Sequence, residues 1–123
     1  MKDEQATDQN RSPVSFVHWK DVLLWLLGSR LRKGVTGQSM EPTLNHGDQI
    51  FVRPSKVAAV GDVVLCRHPY KTETHIVKRV QSIDKTGLML TGDNPSDSTD
   101  SSSFGRVPWV HLIGVVTSRA RQA

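Results

Sequence analysis

The sequence predicts a mainly β fold, a small antiparallel barrel-like sheet preceded by one N-terminal helix. Three observations lead there. Short runs rich in β-branched residues occupy the chain from Gly34 onward. Clusters of Gly, Asp and Pro punctuate them. Helical spacing of apolar residues occurs once, ahead of these runs. A chain of 123 residues, 37% of them apolar, suits one domain with a modest core.

Residues 1–13 are polar, offer little to bury and are expected to be a disordered tail. From Val14 to about Lys33, Phe16, Trp19, Leu23, Leu26, Leu27 and Leu31 fall near helical spacing, so an amphipathic helix is expected over 14–33. Arg30, Arg32 and Lys33 would suit its C-terminal dipole. Three readings stay open for residues 14–31: a helix on a membrane surface, a docking arm, or a helix packed on its own domain. The β domain proper is expected over 34–123. Its strands are expected at Gln49–Val52, Asp62–Arg67, His75–Ile83, Leu88–Gly92 and His111–Ser118, with a tight hairpin turn at Asp84–Gly87. The stretch Asp93–Gly105 is a Ser- and Asp-dense loop.

Several functions are disfavoured. A net charge of +4 without a basic run or aromatic–basic interleaving gives no nucleic-acid footprint. A single cysteine, Cys66, cannot form an internal disulfide, and its apolar neighbours suggest a buried thiol. The five histidines are scattered without metal-ligand spacing, so neither metal nor other cofactor is expected. No glycine-rich phosphate loop stands before a helix, and G-x-S-x-G fails because Glu41 occupies its last position. Met1–Arg11 lacks the pattern of a signal peptide. The apolar run Val22–Leu27 is far short of the roughly 20 residues a spanning helix needs. A cytoplasmic or membrane-peripheral protein is expected.

What remains is a serine and a lysine. A serine hydroxyl needs a base within hydrogen-bond reach, and lysine can serve only when burial favours its neutral form. Lys78 sits in "HIVKRV", sharing the alternation of Ile76 and Val80. From the strand alone, a desolvated base and an edge-strand charge both remain open.

Taken together, the motifs resemble the signal peptidase I family of Ser–Lys peptidases, over Val35 to Val116 and in the family's order. "GQSMEPTL" resembles the nucleophile box, "GDVVLCR" the following strand, "HIVKRV" the general-base box, and "GDNPSDSTDS" with "FGRVPWVHLIG" the last box and its strand. The resemblance implies the signal peptidase/LexA-type catalytic core, with Ser39 as nucleophile and Lys78 as base. It implies that Ser98 orients the lysine and that Arg79 pairs with Asp100. Gly92, Asp93 and Asn94 would turn the chain beneath the site. Gly37, Met40 and Pro42 would shape the approach to Ser39, with Met40 packed below it. The Ser39 N–H is the implied oxyanion donor. Where some members add a hydroxyl donor, this chain has Gly37; where an arginine is common, it has Ser102.

The implied substrate is a precursor protein bound as an extended peptide, with small side chains near the cut. Size and boxes most resemble the compact branch that matures nickel-type superoxide dismutase by removing a leader. Two alternatives stay open. One is signal-peptidase-like processing of exported precursors at the membrane surface, with residues 14–31 as an interfacial contact. The other is a LexA-type self-cleaving module, against which the short N-terminal stretch and the GDN box both argue.

Overall fold

A computed structural model describes residues 13–71, 73–94 and 105–121. Within them lie one α-helix, α1 (Trp19–Leu26), a single 3-10 turn (Trp109–His111) and seven strands: β1 (Leu31–Gly34), β2 (Gln49–Pro54), β3 (Val63–Arg67), β4 (His75–Ile83), β5 (Gly87–Thr91), β6 (Val107–Pro108) and β7 (Leu112–Ala120). The strands form a single antiparallel sheet, curled into an open half-barrel, in the order β1-β2-β7-β3-β4-β5-β6. Strands β1–β2, β3–β4 and β4–β5 pair as sequence neighbours, whereas β7 returns from the far end of the chain to insert between β2 and β3.

That insertion explains the unbroken apolar run in β3. Val63, Val64, Leu65 and Cys66 are all buried, because β3 is central and covered on both faces. Val64 and Cys66 join a cluster with Val80, Leu88, Leu90, Val107, Leu112 and Val115. Val63 and Leu65 join the other, with Val35, Met40, Leu44, Ile50, Val52 and Val116. The period-2 alternation thus serves two cores rather than one core and solvent.

Gly114 marks a close strand crossing. A Cβ there would run into the Arg53 carbonyl oxygen and the Val52 side chain. Gly114→Ala is therefore expected to cost about 1–3 kcal/mol through overpacking, read as a lower denaturation midpoint.

The expected turn at Asp84–Gly87 is present. Asp84 Oδ1 accepts from the Thr86 N–H (2.8 Å) and hydroxyl (2.7 Å) and from the Gly87 N–H (3.2 Å). The Thr86 hydroxyl first, then its N–H, holds the Asp84 carboxyl below its ordinary range.

The N-terminal segment departs from expectation. The helix covers Trp19–Leu26 alone, shorter than 14–33, because Gly28 at φ 84° breaks it and the chain then pairs with β2 as β1. Arg30, Arg32 and Lys33 therefore lie beyond the helix instead of in its last turn. Ahead of it, Phe16 forms a parallel bridge with Arg119, with the Val17 N–H donating to the Arg119 carbonyl at 2.7 Å. One side of α1 is anchored: Asp21 meets Arg30 (3.2 Å) and accepts from the Thr117 hydroxyl, and Trp25 meets Phe51 edge-on. Trp19, Leu23, Leu26 and Leu27 remain exposed. Among the described residues, no helix is long and apolar enough to cross a membrane. The expected tail, bar Pro13, lies outside the described residues.

Candidate active site

The loop carrying Ser39 joins β1 to β2 and is pinched at its neck. The Val35 N–H donates to the Asp48 carbonyl, and the Gly47 N–H to the Val35 carbonyl, both at 2.8 Å. Inside that neck, Gly37 takes a φ of 83°, a backbone that disfavours any side chain even though space for a Cβ is open. Its N–H donates to His46 Nδ1 at 3.0 Å. Met40 is 2% exposed and packs with Leu44, Val35 and Val77, so the loop that carries Ser39 rests on the core. The Glu41–Pro42 peptide bond is cis.

Lys78 lies in β4 opposite Val64 and is 5% exposed. Ser39 and Lys78 line the same cavity, of about 270 Å³. One wall is the stretch from Lys33 through Gly37; the other is His75 through Lys78, with His68 beside it and Met40 at the base of Ser39. Distance in sequence is bridged here by the sheet: the loop after β1 and the strand β4 meet over a curled surface.

A polar frame supports this meeting from behind. The Asn94 N–H donates to the Ser39 carbonyl and its side-chain amide to the Gln38 carbonyl, both at 2.9 Å. Gly92 and Asp93 are buried. Asp93 receives Arg79 in a two-point pair, Nε–Oδ1 at 3.0 Å and Nη2–Oδ2 at 2.7 Å, with both side chains 3% exposed. It also accepts from the Thr43 hydroxyl at 2.5 Å. One carboxylate thereby ties the strand of Lys78 to the loop of Ser39. Ser98 and Asp100 lie outside the described residues.

A Peptidase S24-like family model matches residues 33–117, a span that holds Ser39, Lys78, Arg79 and Asp93. The chain belongs to the Peptidase S24-like family. It is similar to mitochondrial inner membrane protease subunit 1 of Schizosaccharomyces pombe, 32% identical over 108 residues covering 68% of this chain and 69% of that protein. The protein of the same name in Xenopus tropicalis is 29% identical, over 68% of this chain and 65% of that one. In Homo sapiens it is 28% identical, over 64% and 62%. The match thus spans about two-thirds of each relative. Family and relatives alike support a hydrolase of the peptidase class with signal-peptidase-like kinship. None of these names mentions a superoxide dismutase.

In this Peptidase S24-like chain, several braces escaped sequence reasoning. Arg119 of β7 donates to the Thr43 carbonyl at 2.6 Å and meets Asp48 at 3.4 Å, holding the loop from the opposite end of the chain. His46 carries a local signal that could have been read, a histidine just before Gly47-Asp48 within the loop. Arg119 carries none. Among the described residues, no group of His, Cys, Asp and Glu is arranged to hold a metal ion.

Cys66 is fully buried, and burial pushes its thiol up to about 12. Its folded value is raised above the unfolded one of 9.0, so this group's contribution is complete below about pH 9 and is lost as pH climbs through about 12. Stability is expected to fall less steeply over that window in Cys66→Val than in the parent, measured as urea midpoints. In the folded protein, Cys66 is expected to resist alkylation.

Proposed function

We propose that this protein is a serine endopeptidase that removes an N-terminal leader from a precursor, with Ser39 as nucleophile and Lys78 as general base. The observation that carries this is their convergence on one cavity, with the lysine almost wholly buried. Burial in that wall disfavours the ammonium form, and only a neutral amine can accept a proton.

The reaction then runs in two halves. Lys78 takes the Ser39 proton as Oγ attacks the scissile carbonyl carbon, and the Ser39 N–H supports the oxygen that gains charge. The proton passes to the departing amine, leaving an ester on Ser39. A water that gives its proton to Lys78 attacks that ester and frees the leader. The family resemblance gives Ser98 the part of steadying the amine, while Arg79, Asp93 and Asn94 hold the two halves of the site in register. Gly37, with no side chain, lets an extended peptide come close to Ser39, and Pro42 fixes the turn that follows.

Nickel-type superoxide dismutase precursor is the first candidate substrate, on the resemblance of size and boxes. A second reading, processing of precursors at a membrane surface, draws on two observations. The relatives are named as inner membrane proteases. Trp19, Leu26 and Leu27 are also 64%, 68% and 70% exposed beside Lys20, Arg30 and Arg32, a composition suited to an anionic lipid interface. Incubating purified protein with each candidate precursor, with and without vesicles, and reading the new N-terminus by mass spectrometry separates them. A leader cut from a separate precursor chain supports the endopeptidase; cleavage confined to the protein's own chain would favour a LexA-type self-cleaving module instead. No product with any precursor would overturn the reading.

A further inference from the structure

We infer that the cavity beside Ser39 and Lys78 selects substrates carrying an Asp or Glu side chain close to the bond that is cut, with Lys33 and His75 as the specificity-determining residues. This rests on the proposed role of that cavity in cleavage and extends it to the class of substrate.

The electrostatics of the walls carry the inference. Lys33 comes from the edge strand β1 and His75 from the first position of β4, so basic side chains line the cavity from different walls, with His68 and the buried Lys78 as well. None of the described residues lining it carries a carboxylate. Glu41 and Glu73 are near in sequence to Ser39 and His75, yet neither reaches the lining. Among the described residues, Lys33 and Arg67 make no salt bridge, so their charges are not committed elsewhere.

These charges act where a substrate would lie. Burial first, then the charges of Lys33 and of Arg67, push His75 below its ordinary value. At neutral pH the fixed positive charge therefore comes from Lys33 in the lining and, outside it, from Arg67, which is paired with His75 across β3 and β4, and His75 offers a neutral ring N–H. A carboxylate placed between them would gain from the cations and accept that hydrogen bond. A neutral or cationic side chain would gain neither. Because Lys33 is exposed, the preference is of moderate size and sensitive to salt.

The test uses the full chain and synthetic leader-junction peptides with amidated C-termini, so that no terminal carboxylate competes. A single Asp is moved through the positions flanking the cut, each peptide matched by one with Asn at the same place. At one position KM is expected to be about fivefold lower for Asp than for Asn, the gap narrowing at high salt. Lys33→Gln should bring that ratio close to one, and Lys33→Arg should keep it. Fluorescence anisotropy with Ser39→Ala should show the same preference in Kd, independent of turnover. Equal KM and Kd for every Asp and Asn pair, with cleavage intact, overturns the inference and leaves the peptidase reading standing. Asp-selective binding alongside wild-type protein that cuts none of the peptides overturns the peptidase reading and, with it, the placement of the acidic side chain beside a cut bond. Absence of binding to any peptide overturns both.

Discussion

Ser39→Ala and Lys78→Ala are each expected to lower leader cleavage by about 10⁴-fold or more, the scale on which members of a nucleophile–base unit fail together. The double variant should be little worse than either single one, since neither group works without the other. Ser39 sits in a loop closed at its neck and braced by Asn94, so losing one hydroxyl leaves the fold untouched. Lys78 is 5% exposed, and alanine there would leave a void. Lys78→Met fills most of that space without an amine, and it should stay folded and remain inactive. In the wild type, kcat should fall as pH is lowered, because protonation removes the base. A rate that held level from about pH 8 to about pH 5 would exclude a neutral lysine base. Retention of near-normal turnover by either single variant would remove that residue from the reaction.

Asp93→Ala should be among the most destabilising single changes, by about 3–5 kcal/mol, because it strips a two-point carboxylate from a buried guanidinium. Both partners are 3% exposed, and Arg79 keeps part of its support, including Nη1 donating to the Gly61 carbonyl at 2.8 Å. The loss belongs toward the lower end of that range for this reason. Because Asp93 also accepts from Thr43, the same change should loosen the loop that carries Ser39 and reduce cleavage more than the stability loss explains. Urea midpoints and kcat, measured together below the unfolding transition, separate the two effects. Asp100→Ala provides the comparison, since the family resemblance pairs Asp100 with Arg79. Should Asp93→Ala melt with the parent while Asp100→Ala does not, Arg79 depends on Asp100, and the role given to Asp93 fails.

Strands β2, β3, β4, β5 and β7 were legible because alternation, β-branching and turn residues act over a few neighbours, whereas the two-residue β6 was not. Asp84–Gly87 could be read as a turn for the same reason: one aspartate side chain satisfies three donors within three residues. The helix was overextended because apolar spacing continued past Gly28, and spacing does not register that a positive φ ends a helix there. Leu31–Gly34 then became a strand because β2 was waiting to pair with it.

Ser39 and Lys78 could be singled out through the order of the four boxes, not through any local property of either residue. Their convergence on one cavity, the two-point grip of Asp93 on Arg79, and the reach of Arg119 to Thr43 could not be read in advance. Local pattern sufficed for which segments are extended and which face each residue takes, since those preferences are settled within a few bonds. Which strands lie side by side, and so which polar groups share a low-dielectric interior, awaited the folded chain. Inserting β7 between β2 and β3 is a matter of long-range pairing, and no short-range signal encodes it.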